Sequence, residues 1–149
     1  MLQTSEMRTG NYFLADHLPQ TLSAISIDEV DKTAPPLIGF YTDGQLQYIA
    51  ANSTQLQPML LTDELMESCG FRFDNYFKRW QKKRKVFGPG MDMELDKDYT
   101  ALDFSGRPIL KEIQYLHHLQ NLYYALKRQE LPIEMQSNKK IVEAYAIIQ

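Results

Sequence analysis

The stretch from Tyr115 to Arg128, YLHHLQNLYYALKR, constrains the fold of this chain more than any other part of the sequence. Its large apolar residues recur at steps of three and four, which places them on one face of an α-helix. Lys127 and Arg128 fall in the last turn, where positive charge stabilises the carbonyl end of the helix dipole. The apolar face consists of Leu116, Leu119, Leu122, Tyr123 and Leu126. Such a face needs a partner surface, so we expect a small sheet to pack on this helix.

Short segments of β-rich composition surround the helix, and one pair of them carries a clear hairpin signal. The runs 37–41 and 45–50 flank an Asp-Gly pair at 43–44. Asp-Gly between β-rich runs is a strong predictor of a two-residue hairpin turn. With this turn, Tyr41 faces Leu46 across the two strands.

A second, shorter helix is predicted to begin after Thr62, which has the type of side chain that caps helices. Asp63 and Glu64 follow in the first turn, where the helix dipole favours acidic residues, and Gly70 is the expected stop. Cys69 lies on the apolar side of this helix. We expect it to be a small buried hydrophobic residue rather than a nucleophile, because no basic residue lies near it in sequence.

The segment 76–85, YFKRWQKKRK, combines six basic residues with three aromatic residues. Such a segment could neutralise phosphates and stack on bases, as in proteins that bind single strands or RNA. The candidate nucleic-acid or partner contacts are Lys78, Arg79, Trp80, Lys82, Lys83, Arg84 and Lys85. The alternative is an exposed, lysine-rich strand that prevents edge-to-edge pairing.

An acidic run after this segment supports the alternative. A Gly-Pro-Gly turn precedes the run 91–101, in which apolar residues alternate with acidic ones as in a strand. If the turn closes a hairpin, Arg84 lies opposite Glu94 and Lys82 lies opposite Asp96, so unlike charges pair across the strands. The structural interpretation is therefore favoured over nucleic-acid binding.

The run 137–149 has an amphipathic pattern without Gly or Pro, which predicts a C-terminal helical tail. Ile141, Tyr145 and Ile148 fall at helical spacing on its apolar side. Together with Tyr124, they form the candidate protein interface. The tail is expected to dock on the sheet of its own domain, to join a second copy in a homodimer, or to bind a foreign partner.

Composition limits the class of protein. The chain has 149 residues, enough for one domain with a core, and its net charge of −3 gives no general attraction to nucleic acid. Its single cysteine excludes an internal disulfide framework and suits a reducing compartment, so we expect a cytoplasmic protein. We also expect neither an export signal nor a membrane span, because no stretch has the required apolar pattern.

The sequence contains no recognised set of catalytic or cofactor-binding residues. It has no glycine-rich phosphate loop and no G-x-S-x-G elbow. His117 and His118 are adjacent, so on a helix their side chains point about 100° apart and are not expected to share one metal ion, as an i, i+4 pair can. His17 and Cys69 complete no zinc spacing. We therefore expect no enzyme activity, no metal and no cofactor.

Three segments together carry a resemblance to a group of proteins. Arg8–Tyr12 reads RTGNY, Met59–Phe71 contains LLTDEL followed by CGF, and Tyr115–Leu126 reads YLHHLQNLYYAL. In this order they resemble small uncharacterised proteins of phages and mobile elements in Bacteroidota, which carry R-x-G-N-Y/W, P-L-T-E-E-W-L-x-x-F-G-F and Y-V-H-Q-L-Q-N-L-Y-F-A-L. The chain departs from them at 127–129, where Lys-Arg-Gln replaces the usual Thr-Gly. The resemblance implies a phage or mobile-element setting and an α+β domain with a barrel-like sheet, and it implies no specific activity.

These observations predict an α+β fold with a small antiparallel, barrel-like sheet packed on one long helix, a second short helix and a C-terminal helical tail. We predict one domain over 1–136, whose last element is an edge strand at 131–135, followed by the tail at 137–149. The leading functional hypothesis is a non-enzymatic accessory protein that binds a protein partner or itself, in the host-cell cytoplasm if it is phage-encoded. The alternatives are a nucleic-acid-binding accessory protein that uses the segment 76–85, and a minor virion component.

Overall fold

The computed structural model shows an α+β protein dominated by antiparallel sheet. It describes residues 2–83, 91–103, 105–109 and 113–135. The predicted helical tail at 137–149 lies outside these residues. Within them the chain forms nine β-strands, two α-helices and a short 3-10 helix at Thr4–Glu6. None of the helices in this part of the chain is long and apolar enough to cross a membrane.

The described residues fall into two compact units. The first unit comprises 2–60 and 115–130, and the second comprises 131–135 and the described residues between 61 and 114. Each unit has its own antiparallel sheet and one α-helix. The single domain over 1–136 stays a prediction.

The first unit contains a five-stranded sheet. Its strands are β1 (Tyr12–Ala15), β2 (Leu18–Ser26), β3 (Leu37–Thr42), β4 (Gln45–Ala50) and β5 (Leu56–Gln57). Their order is β4-β3-β2-β1-β5, with β4 and β5 at the edges, and the sheet curls into a half-barrel, in keeping with the predicted barrel-like form. The predicted hairpin is confirmed, because β3 pairs with β4 and Tyr41 lies opposite Leu46. Asp43 and Gly44 both have positive φ, 51° and 77°, as a two-residue type I′ turn requires.

The core of the first unit lies on one face of this sheet. Phe13, Leu22, Ile38 and Phe40 are all buried there and belong to one hydrophobic cluster. They come from β1, β2 and β3, so the cluster joins the three central strands. Burying a side chain of this size stabilises the folded state by roughly 1.5 to 3 kcal/mol.

The strongest helix prediction is confirmed as α2 (Leu116–Lys127), which contacts β1. Leu116, Leu119 and Tyr123 are buried, as the predicted apolar face requires. Leu126 was assigned to the same face, and this assignment is wrong because the side chain is 53% exposed. Burial of the apolar face ends at Tyr123, one turn before the helix itself ends.

The description of α2 as a long helix is also wrong. It has 12 residues, which is an average length for a globular protein. Arg128 ends it in the left-handed conformation, with φ of 57°. The Arg128 N–H donates to the carbonyl oxygen of Tyr124 at 2.8 Å, a bond typical of helix ends that glycine usually makes.

The second unit contains α1 (Asp63–Ser68) and a four-stranded sheet. Its strands are β6 (Arg72–Asp74), β7 (Arg79–Lys83), β8 (Met91–Asp96) and β9 (Ala101–Leu102), paired in chain order. The predicted cap of α1 is confirmed, because Thr62 Oγ1 accepts a hydrogen bond from the N–H of Leu65 at 3.2 Å. Gly70 follows the helix with φ of 86°, which explains the expected stop at glycine.

Strand β7 corrects the prediction for the basic segment. It pairs with β6 on one side and with β8 on the other, so it is an inner strand and not an exposed edge strand. The register differs as well: Gln81 lies opposite Glu94, and Arg79 lies opposite Asp96. The predicted pairs of Arg84 with Glu94 and Lys82 with Asp96 are therefore wrong. The prediction assumed a tight turn at Gly-Pro-Gly, whereas this register leaves a longer connection between β7 and β8 and a bulge at 82–83.

The predicted edge strand at 131–135 does not form. These residues have no regular structure. Leu131 and Met135 are nevertheless buried, and the N–H of Glu134 donates to the carbonyl oxygen of Ser68 at 3.1 Å. The segment is thus held by its alternating apolar side chains and by this hydrogen bond rather than by a ladder.

Candidate functional site

A buried polar network joins the start of β1 to α2. Asn11 and Gln120 are both buried. Gln120 Oε1 accepts a hydrogen bond from the N–H of Tyr12 at 2.9 Å, and Gln120 Nε2 donates to the carbonyl oxygen of Gly10 at 3.0 Å. The side chain therefore satisfies two backbone groups at the start of β1. Buried backbone groups without such partners would destabilise the fold.

Asn121 extends the same network. Its Oδ1 accepts hydrogen bonds from Asn11 Nδ2 at 2.9 Å and from Arg8 Nε at 3.2 Å, and its Nδ2 donates to the carbonyl oxygen of Glu6 at 2.6 Å. Arg8 also forms an ion pair with Glu130 through both ends of its guanidinium group. The conspicuous RTGNY and LQN motifs thus meet in space, and their polar residues hold the chain together.

Tyr124, predicted as an exposed interface residue, is exposed, with 38% of its surface accessible. The guanidinium carbon of Arg8 lies 4.3 Å from the centre of its ring, within the range of a cation–π interaction. One face of the ring is therefore covered within the first unit. The other predicted interface residues, Ile141, Tyr145 and Ile148, lie outside the described residues.

Two histidines and a carboxylate meet at the start of α2, and we call Glu6, His117 and His118 the histidine cluster. Glu6 Oε2 lies 3.0 Å from His118 Nε2 and 3.9 Å from His117 Nε2. The centres of the two imidazole rings are 4.3 Å apart, and one donor atom from each of the three side chains lies within 4.8 Å of the others. The expectation that adjacent histidines point too far apart to approach one ion is therefore wrong.

His117 is the unusual member of the histidine cluster. It is fully buried, and neither ring nitrogen has a hydrogen-bond partner among the described residues. Its ring stacks on Tyr115 at 5.8 Å between centres and lies 4.8 Å from the ring of Phe13. Burial, and then the nearby charge of His118, lower the pKa of His117 to about 4, against an opposing effect of Glu6. The imidazole is therefore neutral at physiological pH, and its lone pair is available to a ligand.

Glu6 is the charged member of the cluster and lies at its exposed side. The hydrogen bond with His118 lowers the pKa of the Glu6 carboxyl, so that the carboxylate is favoured. A cavity of about 240 Å³ adjoins Glu6 and His117. Its other lining residues are Leu2, Leu56, Gln57, Pro58 and Tyr115. The cluster thus combines two imidazoles, one carboxylate and adjoining space.

The basic segment is less exposed than the sequence suggested. Trp80 and Lys82 are buried, and Lys82 Nζ donates to the carbonyl oxygen of Cys69 at 3.0 Å. Arg79 Nη1 lies 3.7 Å from Glu94 Oε2 in an ion pair. Lys78 is exposed, and Lys83 belongs to β7. Arg84 and Lys85 lie outside the described residues.

Cys69 is buried, as predicted. Burial raises the pKa of its thiol to about 12, although the charge of Lys82 acts in the opposite direction. A thiol with such a pKa is not a nucleophile at neutral pH. Both residues border a cavity of about 570 Å³, in which the charge of Lys82 is directed to a backbone carbonyl.

The turn between β6 and β7, residues 74–78, exposes two large aromatic side chains, and we call it the aromatic turn. Tyr76 is 86% exposed and Phe77 is 57% exposed, with their ring centres 4.8 Å apart in an edge-to-face arrangement. Asp74 Oδ1 accepts hydrogen bonds from the N–H groups of Tyr76 and Phe77 at 2.8 and 3.0 Å. Lys78 adopts a left-handed conformation with φ of 56°. The turn therefore has a defined backbone.

Tyr76 and Phe77 were not among the candidate contact residues, although the segment 76–85 was singled out for its aromatic and basic residues and the sequence carries a signal for the turn. An aspartate that precedes exposed residues by two and three positions is typical of a turn in which its side chain binds the backbone. Lys78, the predicted contact within this turn, borders a groove of about 510 Å³. Comparison of the chain with protein-family models, curated proteins and solved structures finds no match.

Proposed function

We propose that this chain is a non-enzymatic interaction protein that binds a protein partner through the aromatic turn. The observation that carries the proposal is the exposure of Tyr76 and Phe77 on a turn whose backbone is held by Asp74. The phage or mobile-element setting is part of the same proposal and rests on the motif resemblance described above.

An ordered turn lowers the free-energy cost of binding a partner. Aromatic side chains are enriched in the centres of protein interfaces, where they contribute most of the binding energy. Ordering a loop on binding costs free energy, and a loop that is already ordered avoids that cost. Since Asp74 holds the backbone of Tyr76 and Phe77, the two rings can be buried by a partner without prior ordering of the main chain.

The charges beside the aromatic turn favour a protein partner over nucleic acid. The groove that Phe77 borders is lined by both basic and acidic residues, namely Lys78, Arg79, Lys97, Asp96 and Asp98. Phosphate backbones bind surfaces on which basic residues prevail. A groove of mixed charge instead suits a protein surface that carries both signs.

Site-specific photocrosslinking tests the proposal. A photoreactive phenylalanine derivative is placed at Tyr76 in the full chain, which is expressed in its native host and irradiated. A matched variant carries the same group at Val30, which is 96% exposed and lies in the first unit. We expect a discrete protein adduct from position 76 and none of the same mass from position 30.

The composition of the adduct, and its dependence on Phe77, decide whether the proposal holds. Adding Phe77→Ser to the position-76 variant should remove the adduct while the free energy of unfolding changes by less than about 0.5 kcal/mol, as for other exposed positions. An adduct that contains a second copy of the chain identifies the partner as the protein itself. A nucleic-acid adduct at position 76, or identical protein adducts from positions 76 and 30, would overturn the proposal.

A further inference from the structure

The histidine cluster places donor atoms as a metal site requires. For a tetrahedral ion bound at about 2.1 Å, neighbouring ligand atoms are separated by roughly 3.4 Å. Glu6 Oε2 lies 3.0 Å from His118 Nε2 and 3.9 Å from His117 Nε2, values on either side of that separation. One donor atom from each of the three side chains lies within 4.8 Å of the others, so rotations of exposed Glu6 and partly exposed His118 would bring all three atoms around one ion.

The buried imidazole of His117 provides an independent reason for a ligand. A buried polar group without a hydrogen bond costs free energy, and such groups are uncommon in native proteins. Neither nitrogen of His117 has a hydrogen-bond partner among the described residues, although Nε2 faces Glu6 at 3.9 Å. A cation at the cluster would accept the Nε2 lone pair and so give that nitrogen a partner.

The donor types indicate the class of ion. Two imidazole nitrogens and one carboxylate oxygen suit zinc and other first-row divalent transition ions, whereas calcium and magnesium prefer oxygen ligands. Three protein ligands leave a further coordination position, as in zinc sites that bind water or substrate. The cavity of about 240 Å³ that Glu6 and His117 border has room for such a molecule.

We propose that Glu6, His117 and His118 form a binding site for a divalent transition-metal ion, with Zn²⁺ as the ion that the donor set suits best. Glu6 belongs to the 3-10 helix and the two histidines belong to the first turn of α2. A bound ion would therefore cross-link two segments that are more than 100 residues apart, as the separation of 112 between Glu6 and His118 shows. This site is independent of the aromatic turn, which lies in the other unit, so neither proposal depends on the other.

Zinc titration of the full chain without an affinity tag tests the site. The protein is first treated with a chelator, and Zn²⁺ binding is then followed by calorimetry and by the midpoint of thermal unfolding. The test variants are His118→Ala and Glu6→Gln, both at positions that are not fully buried. The matched control is His17→Asn, since His17 is exposed and its φ of 68° is tolerated by asparagine.

We expect Zn²⁺ to bind with one ion per chain and to raise the unfolding midpoint of the wild type and of His17→Asn. Each test variant should lose at least about tenfold in affinity, the loss that even supporting residues of metal sites cause. Bound Co²⁺ should also give visible absorption from nitrogen ligation in the wild type, and His118→Ala should change that spectrum.

Three results would overturn the site. These are wild-type protein that binds no Zn²⁺, test variants that bind Zn²⁺ as tightly as the wild type, and an equal response to Mg²⁺. Circular dichroism without metal shows whether each test variant is folded. If either test variant fails to fold, His117→Gln takes its place, because an amide is close to imidazole in size but is a poor zinc ligand.

Discussion

The side-chain oxygen of Gln120 accepts a hydrogen bond from the backbone N–H of Tyr12 at 2.9 Å, so a residue of α2 completes the hydrogen bonding at the start of β1. The amide nitrogen of the same side chain donates to the carbonyl oxygen of Gly10. One buried amide thus ties two segments together that are separated by 108 residues in sequence. Helical periodicity places Gln120 on the polar side of α2. In the folded protein, however, this side chain is buried against the start of β1.

Gln120→Leu should therefore destabilise the protein. The substitution leaves the Tyr12 N–H and the Gly10 carbonyl without their partner, at roughly 1 to 3 kcal/mol for each unsatisfied group. Chemical denaturation should show a loss of about 2 to 5 kcal/mol in the free energy of unfolding. Gln120→Glu keeps the acceptor for Tyr12 but not the donor for Gly10. An unchanged denaturation midpoint in the leucine variant would show that the network does not stabilise the fold.

Leu119→Ala tests the apolar face of α2. Leu119 is fully buried, so truncation should cost about 2 to 5 kcal/mol, the range for a core leucine. Leu126→Ala is the matched control within the same helix, because that side chain is 53% exposed. The control should change the stability by less than about 0.5 kcal/mol. Equal losses in the two variants would contradict the burial pattern described above.

The pH dependence of stability should report on His117. Its pKa is about 4 in the folded protein and about 6.5 in an unfolded chain. Between these values the unfolded chain binds more protons, so the stability is complete above about pH 6.5 and falls as the pH decreases towards 4. The slope should approach 1.4 kcal/mol per pH unit, and the full loss is on the order of 3 kcal/mol.

Urea denaturation between pH 5 and 7, with a chelator present, measures this slope. The lower limit avoids the titration of Glu6, which faces His117 together with His118. Since the pKa of Glu6 is lowered in the folded state, its own contribution is lost only as the pH falls below the value of an unfolded glutamate. His117→Leu should flatten the profile in this range. A wild-type profile that is already flat would show that His117 does not change its pKa on folding.

Lys82 should contribute to stability rather than to nucleic-acid binding. Its ammonium group is buried and donates to the Cys69 carbonyl, so Lys82→Ala should cost about 1 to 3 kcal/mol. Lys78 is exposed in the turn between β6 and β7. Lys78→Ala should therefore change the free energy of unfolding by less than about 0.5 kcal/mol. Chemical denaturation of both variants measures their stability, and a gel shift with single-stranded RNA measures their binding to nucleic acid. A stable Lys82→Ala variant with weakened RNA binding would refute the structural role.

Local sequence determined the elements whose formation depends on neighbouring residues. Helix α2 follows from apolar residues at three- and four-residue steps, the β3–β4 hairpin follows from Asp43-Gly44, and the start of α1 follows from the hydroxyl of Thr62. For the turn and the cap the favourable interaction lies within a few residues, and for α2 the spacing of the apolar residues already shows which face will pack on a partner. The same is true of Cys69, whose burial follows from its place on the apolar side of a short helix.

The tertiary structure alone decided which polar residues were buried and which chemical groups met. Lys82 is buried with its ammonium group on the carbonyl oxygen of Cys69, and no residue inside β7 signals that the end of α1 will lie there. The register of β7 and β8 depends on the length of their connection and on a bulge, so charge pairing did not predict it. The histidine cluster forms because packing brings the 3-10 helix with Glu6 to the start of α2. The adjacent pair His117-His118 in the sequence does not indicate this contact.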